Sequence, residues 1–113
     1  MSLINVRKEN GVAIVELLLK RLDAAVAGAF KEAVVAVIHG GEKKVVLDMS
    51  GVDFVDSSGL GSLVSILKSL GGTGSLAVCD VRPNVLSLFK LTRMDKVFSI
   101  QPSALKAAES LAS

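Results

Sequence analysis

Residues 52–63 read VDFVDSSGLGSL and bring together two aspartates, Asp53 and Asp56, then Ser57 and Ser58, then Gly59 and Gly61. Four chemistries use these residue types at this spacing. A serine nucleophile needs a nearby acid and base. A glycine-rich turn can cradle a phosphate. An exposed serine can accept a phosphoryl group, and the same residues can do no more than cap a helix.

Serine hydrolysis fits poorly. The only histidine, His39, stands directly before Gly40-Gly41 at the predicted end of another helix, where the dipole favours it. The nucleophile-elbow pattern G-x-S-x-G is also missing, because Asp56 holds the place two before Ser58. Nucleotide binding fares little better: no glycine-lysine pair follows either glycine cluster, and Val64 occupies the third glycine position after Gly59 and Gly61. Asp53 and Asp56 together could hold a divalent ion or act as acid and base, yet acids beside a turn more often serve as caps and solvated loop residues.

Capping and signalling remain, and they are compatible. Ser57 or Ser58 would lie at or beside the helix cap, near unpaired backbone N–H groups and the positive end of the dipole. A phosphoryl group there gains about 0.3 to 1 kcal/mol from the dipole, so the fold should tolerate it. A docked partner would feel more. The phosphate adds about 1.5 to 2 negative charges beside Asp56 and Asp53. At about 4 Å and an effective dielectric near 20, each unit-charge pair is worth about 4 kcal/mol. Losing about 2.8 kcal/mol weakens binding about a hundredfold.

The elements that hold this window can be predicted from pattern. Ile4 and Val6 lead to Asn10-Gly11, a turn dipeptide, and then to VAIVELLL, apolar at nearly every position and suited to a strand covered on both faces. Asp23 is placed to cap a helix through Val26, Phe30, Val34, Val37 and Ile38, stopped by Gly40-Gly41. KKVVLDM is a strand, and Leu60, Leu63, Val64, Leu67 and Leu70 form a helical stripe that begins at Leu60 and ends at LGGTG. SLAVCDV follows as a strand, Pro83 opens a helix over NVLSLFKLTR, KVFSI is a last short strand, and Ser103 caps LKAAESLA. The order ββαβαβαβα describes an α/β fold with a mixed sheet covered by helices, and the window lies at the carboxyl end of a central strand, where such sheets place ligands and partners. No linker or repeat interrupts residues 1–113, which are expected to form a single domain.

Bulk composition narrows the function. Half of the 113 residues are apolar, enough for a core without staples. Thirteen basic against eleven acidic residues leave a net charge of +2, and no tryptophan or tyrosine is present, which argues against a nucleic-acid partner. Cys79 is the single cysteine, so no internal disulfide forms, and with one histidine no cysteine-histidine metal site is expected; no metal or other cofactor is predicted. The start lacks a secretion-signal layout, and the apolar run AAVAGAFKEAVVAVI is broken by Lys31 and Glu32, so neither export nor membrane insertion is expected and a reducing, cytoplasmic setting fits. Cys79 reads as a core residue.

The run VVLDMSGVDFVDSSGLGSL resembles the signature of STAS domains, the fold of bacterial anti-sigma-factor antagonists; Leu22-Asp23, LAVCDV and LFKLTRMDKVFSI agree with other parts of that family. The resemblance covers nearly the whole chain. It implies a protein that is substrate rather than enzyme, phosphorylated on the second serine of D-S-S-G, which is Ser58, with Ser57 as the alternative. It also implies two partners. The unmodified antagonist would capture an anti-sigma factor that is itself a serine kinase and so free a sigma factor, and a serine phosphatase would reset the switch. The partner-facing residues by this resemblance are Asp23, Asp56, Ser57, Ser58, Gly59, Leu60 and Gly61. Because STAS-like folds also serve as accessory subunits of membrane transporters and as stressosome-type scaffolds, that is the second expectation. Many relatives carry glycine where Lys20 stands in Lys20-Arg21-Leu22-Asp23, so a different loop shape is expected, with two cations beside the switch that would partly neutralise a phosphate on Ser58.

Overall fold

The computed structural model describes residues 2–112. β1 (Ile4–Glu9) and β2 (Val12–Leu17) form an antiparallel hairpin in which Ile4 pairs with Leu17 and Glu9 with Val12. Asn10 and Gly11 turn the chain at φ 53° and 78°, the doubly positive geometry that matches the twist of the flanking strands. From there the chain winds in parallel. β2 pairs with β4 (Lys44–Asp48), β4 with β6 (Ser75–Cys79), and β6 with β7 (Ser99–Gln101), giving the order β1-β2-β4-β6-β7.

Both faces of this sheet are covered, which explains the unbroken apolar runs. α1 (Ala27–His39), α2 (Ser57–Leu70) and α3 (Pro83–Leu91) pack Phe30, Val34, Leu63, Ile66, Val85 and Phe89 onto Val15, Leu17, Val45, Leu47, Leu76 and Val78. On the opposite face α4 (Ala104–Ala112) lays Ala107 and Ala108 against Val12, Ile14, Val46, Ala77 and Cys79. Alternate residues of one strand thus serve two different cores. The small alanines let α4 approach the sheet closely.

The expected mixed α/β order is present, with local differences. Asp23 does not cap α1. The N-cap position is Val26, which makes no side-chain bond. Asp23 instead closes the turn ahead of the helix: its carboxylate accepts from Ala25 N–H at 3.1 Å, and its carbonyl accepts from Val26 and Ala27 N–H at 3.1 and 2.9 Å. The aspartate is needed there because Arg21 and Leu22 are held extended as β3 (Arg21–Leu22), so the chain must bend sharply before it can coil. β3 pairs in parallel with β5 (Phe54–Val55), a small second sheet that short stretches of two residues do not announce in sequence. KVFSI forms strand only from Ser99, because Met94–Lys96 is a 3-10 turn. Ser103 does cap α4, its hydroxyl accepting from Lys106 N–H at 3.1 Å. Lys20 is not among the residues with positive φ, so glycine is not demanded at that position.

Candidate functional site

The VDFVDSSGLGSL segment is built around Asp56. Its backbone is extended (φ −106°, ψ −173°), and its carboxylate accepts from the N–H of Gly59 at 2.9 Å, the N-cap to N3 bond of a helix start. α2 therefore begins at Ser57 rather than Leu60, and the cap is Asp56 rather than either serine. The other carboxylate oxygen accepts from Ala24 N–H at 3.2 Å, so one side chain fixes the head of α2 and ties it to the turn after β3. The backbone adds Asp56 N–H to the Leu22 carbonyl at 3.3 Å and Asp53 N–H to the Lys20 carbonyl at 2.8 Å.

With the capping role filled, Ser57 and Ser58 stand in the first turn of α2, both exposed. Neither hydroxyl takes part in a hydrogen bond among the described residues. Their backbone N–H groups belong to the unpaired first turn, which supplies the partial positive charge of the helix end. Ser62 contrasts with them. It is buried, and its hydroxyl donates to the Gly59 carbonyl at 2.6 Å.

Gly59 is buried beneath the serines, and a β-carbon on it would stand 2.2 Å from the Leu22 carbonyl oxygen and 3.0 Å from side-chain atoms of Leu22 and Val55. Its place is in the packing of α2 onto β3 and β5. Gly61 is exposed with nothing within 4 Å of a β-carbon, and Leu60 is half-buried against the main core. Asp23, half-buried, accepts from Arg21 Nε at 3.4 Å, and the Arg21 guanidinium lies 4.0 Å above the ring of Phe54. Of the seven residues singled out by sequence, the structure gathers Asp23, Asp56, Ser57 and Ser58 around one helix end, sets Gly59 below them, and carries Leu60 and Gly61 along the helix.

Sequence reasoning missed several contributors. Ala24 takes part only through its backbone N–H, which has no sequence signature. Phe54 is 36% exposed beside the site. Asn84 and Arg82, at the head of α3, bind the loop from the other side: Asn84 donates its amide to the Asp53 carbonyl, and Arg82 Nε donates to the Ser50 carbonyl at 2.9 Å. Pro83 at the first position of α3 marks where these two residues fall, which is the one signal available.

Elsewhere, the donor atoms of Asp48, Cys79 and Asp80 lie within 4.8 Å of one another at the carboxyl edge of the sheet. Burial pushes the Cys79 thiol from its ordinary 9.0 up to about 12, and the Asp48 and Asp80 charges push the same way. Among the described residues no helix is long and apolar enough to cross a membrane.

Comparison with known proteins identifies the family and the fold. The STAS domain family matches residues 4–107. A protein of Thermotoga maritima named as an anti-sigma factor antagonist is 32% identical over 92 residues, 80% of this chain and 81% of that one. A protein of Bordetella bronchiseptica with the same designation is 28% identical over 88 residues, 77% of this chain and 76% of its own. The crystal structure of an anti-sigma factor antagonist from Mycobacterium paratuberculosis superposes with a TM-score of 0.88 at 27% identity, over 97% of this chain and 93% of that one. With a family model spanning nearly its whole length and an Asp-Ser-Ser-Gly helix start presented at the carboxyl end of the sheet, the chain belongs to the STAS-domain family, among relatives named as anti-sigma factor antagonists.

Proposed function

We propose that this chain is the antagonist in a phosphorylation-controlled partner switch. In its unmodified form it binds an anti-sigma factor that has serine kinase activity and so releases a sigma factor. Phosphorylation of Ser58, with Ser57 as the alternative acceptor, ends that binding, and a serine phosphatase restores it. On this reading the chain is a substrate and binding module of the cytoplasm, and not an enzyme.

The observation that carries the reading is the division of labour at the head of α2. Asp56 meets the helix-capping need, which leaves the Ser58 hydroxyl exposed and, among the described residues, without a hydrogen bond in a turn whose dipole favours added negative charge. The folded structure can therefore take a phosphate there. A partner surface covering Ser58 would meet about 1.5 to 2 new negative charges beside Asp53 and Asp56. Folding and binding respond oppositely to one modification.

The test is capture from the native host with wild type, Ser58→Ala and Ser58→Asp as bait, with mass spectrometry of the wild-type protein recovered from the same cells. Wild type and Ser58→Ala should retain an anti-sigma factor that Ser58→Asp loses, and a phosphate should map to Ser58 or Ser57. Equal capture by all three baits would overturn the assignment.

A further inference from the structure

Phe54 is the one phenylalanine of four that is not in the core: Phe30, Phe89 and Phe98 are 0 to 4% exposed, whereas Phe54 is 36% exposed. Its ring is not loose. Arg21 lies across it at 4.0 Å, and the strand register sets the two residues side by side. Leu18, 47% exposed, follows the end of β2. An open groove of about 500 Å³ at this end of the sheet is lined by Leu17, Leu18 and Leu19, by Gly51, and by Lys20 and Arg82.

Groove and switch are continuous. The Lys20 carbonyl at the groove rim accepts from Asp53 N–H at 2.8 Å, and Asp53 leads through Phe54 and Val55 to Asp56 and the serines. Cations outnumber acids in the groove's lining, two to one: among the described residues neither Lys20 nor Arg82 has a carboxylate within 4.0 Å, and the one lining acid, Glu16, is half-buried beside Asp48 on the neighbouring strand. A leucine floor under unneutralised cations suits a ligand that is apolar in the middle and anionic at its edge. Arginine and aromatic side chains held rigid at low entropic cost are the usual anchors of protein interfaces.

We propose that the protein partner docks a segment over Phe54 and Leu18 into this groove, and that the segment pairs a large apolar side chain with a carboxylate held by Lys20 and Arg82. Assigning that segment to the anti-sigma factor rests on the partner-switch reading above; the groove's chemistry does not. The segment supplies affinity at one end of the interface, and Ser58 controls access at the other.

The experiment is a titration of the isotopically labelled full chain, followed by amide chemical shifts, with the peptide acetyl-Glu-Leu-Phe-Glu-amide and its twin acetyl-Gln-Leu-Phe-Gln-amide. Saturable shifts at residues 17–20, 51, 54 and 82 are expected, with the glutamine twin about fivefold weaker or more at low salt. Phe54→Ala should weaken the acidic peptide by about tenfold while leaving distant amides in place. Lys20→Gln should narrow the gap between the twins. Shifts that are absent, lie elsewhere, or are equal for both twins would overturn the proposal. Ser58→Asp should bind the short peptide as wild type does. A seated peptide with a failed host capture would therefore sink the switch and keep the groove, and the reverse result would do the opposite.

Discussion

Gly59 and Leu22 touch so closely that a β-carbon on the glycine would stand 2.2 Å from the leucine carbonyl oxygen. The obstacle is backbone, pinned on its own side by β3 pairing with β5, so it cannot swing aside as a side-chain tip would. Gly59→Ala should cost about 3 kcal/mol, as overpacking against rigid atoms does, and should shift the urea midpoint accordingly. Gly61→Ala, two residues on with open space around it, should instead gain about 0.5 to 1 kcal/mol by removing glycine's helix penalty. If the two variants destabilised alike, the close approach would not be the reason for the first glycine.

The carboxylate of Asp56 serves two amides on different elements. Asp56→Ala should lose about 1 to 2 kcal/mol, the upper part of the range for an N-cap, because the tie to Ala24 goes with the cap. Asp56→Asn keeps one acceptor oxygen for Gly59 but turns an amide toward Ala24, so its loss should be intermediate. Hydrogen exchange at Gly59 and Ala24 separates the two contributions: the alanine variant should speed both, the asparagine variant chiefly Ala24.

Negative charge at Ser58 should leave the fold intact. Ser58→Asp lies in the first turn of α2, where an acid gains about 0.3 to 1 kcal/mol from the dipole, offset by Asp56 two residues earlier at the N-cap. Thermal unfolding of Ser58→Asp should match wild type to within about 1 kcal/mol. A variant that unfolds many degrees lower would mean that loss of partner binding reflects loss of structure.

Cys79 gives the stability a signature at high pH. Its folded thiol is raised to about 12, whereas the unfolded chain releases the proton near 9.0. Between those values the native state holds a proton that the unfolded state has lost, so stability is complete below about pH 9 and falls as pH rises toward 12, at up to about 1.4 kcal/mol per pH unit. The difference between wild type and Cys79→Ala, measured by denaturant titration at intervals from pH 8 to the highest pH at which the chain refolds, isolates this contribution. At neutral pH the thiol should react with a thiol reagent only as fast as the protein opens. Rapid modification of the native protein would contradict the burial.

Much of the architecture was legible in the sequence because its signals are local. Asn10-Gly11 forms the positive-φ turn, the apolar runs of β2, β4 and β6 are strands covered on both faces, and Pro83 and Ser103 begin helices where their chemistry places them. The Asp-Ser-Ser-Gly window was visible for the same reason, since residue types and spacing define it. Which residue plays which part was not. Asp23 and Asp56 both precede helices and both have the chemistry of a cap, yet only Asp56 caps one, because β3 holds the chain extended before Asp23 and spends its carboxylate on a turn. That choice depends on β3 meeting β5 across some thirty intervening residues, as the Arg21 to Phe54 pairing shows. The exposure of Ser58, the burial of Gly59 and the stacking of Arg21 on Phe54 follow from it. Sequence determined which groups stand near the head of α2, through short-range backbone preference; tertiary contact decided which of them are consumed in holding the fold and which are left exposed at the surface.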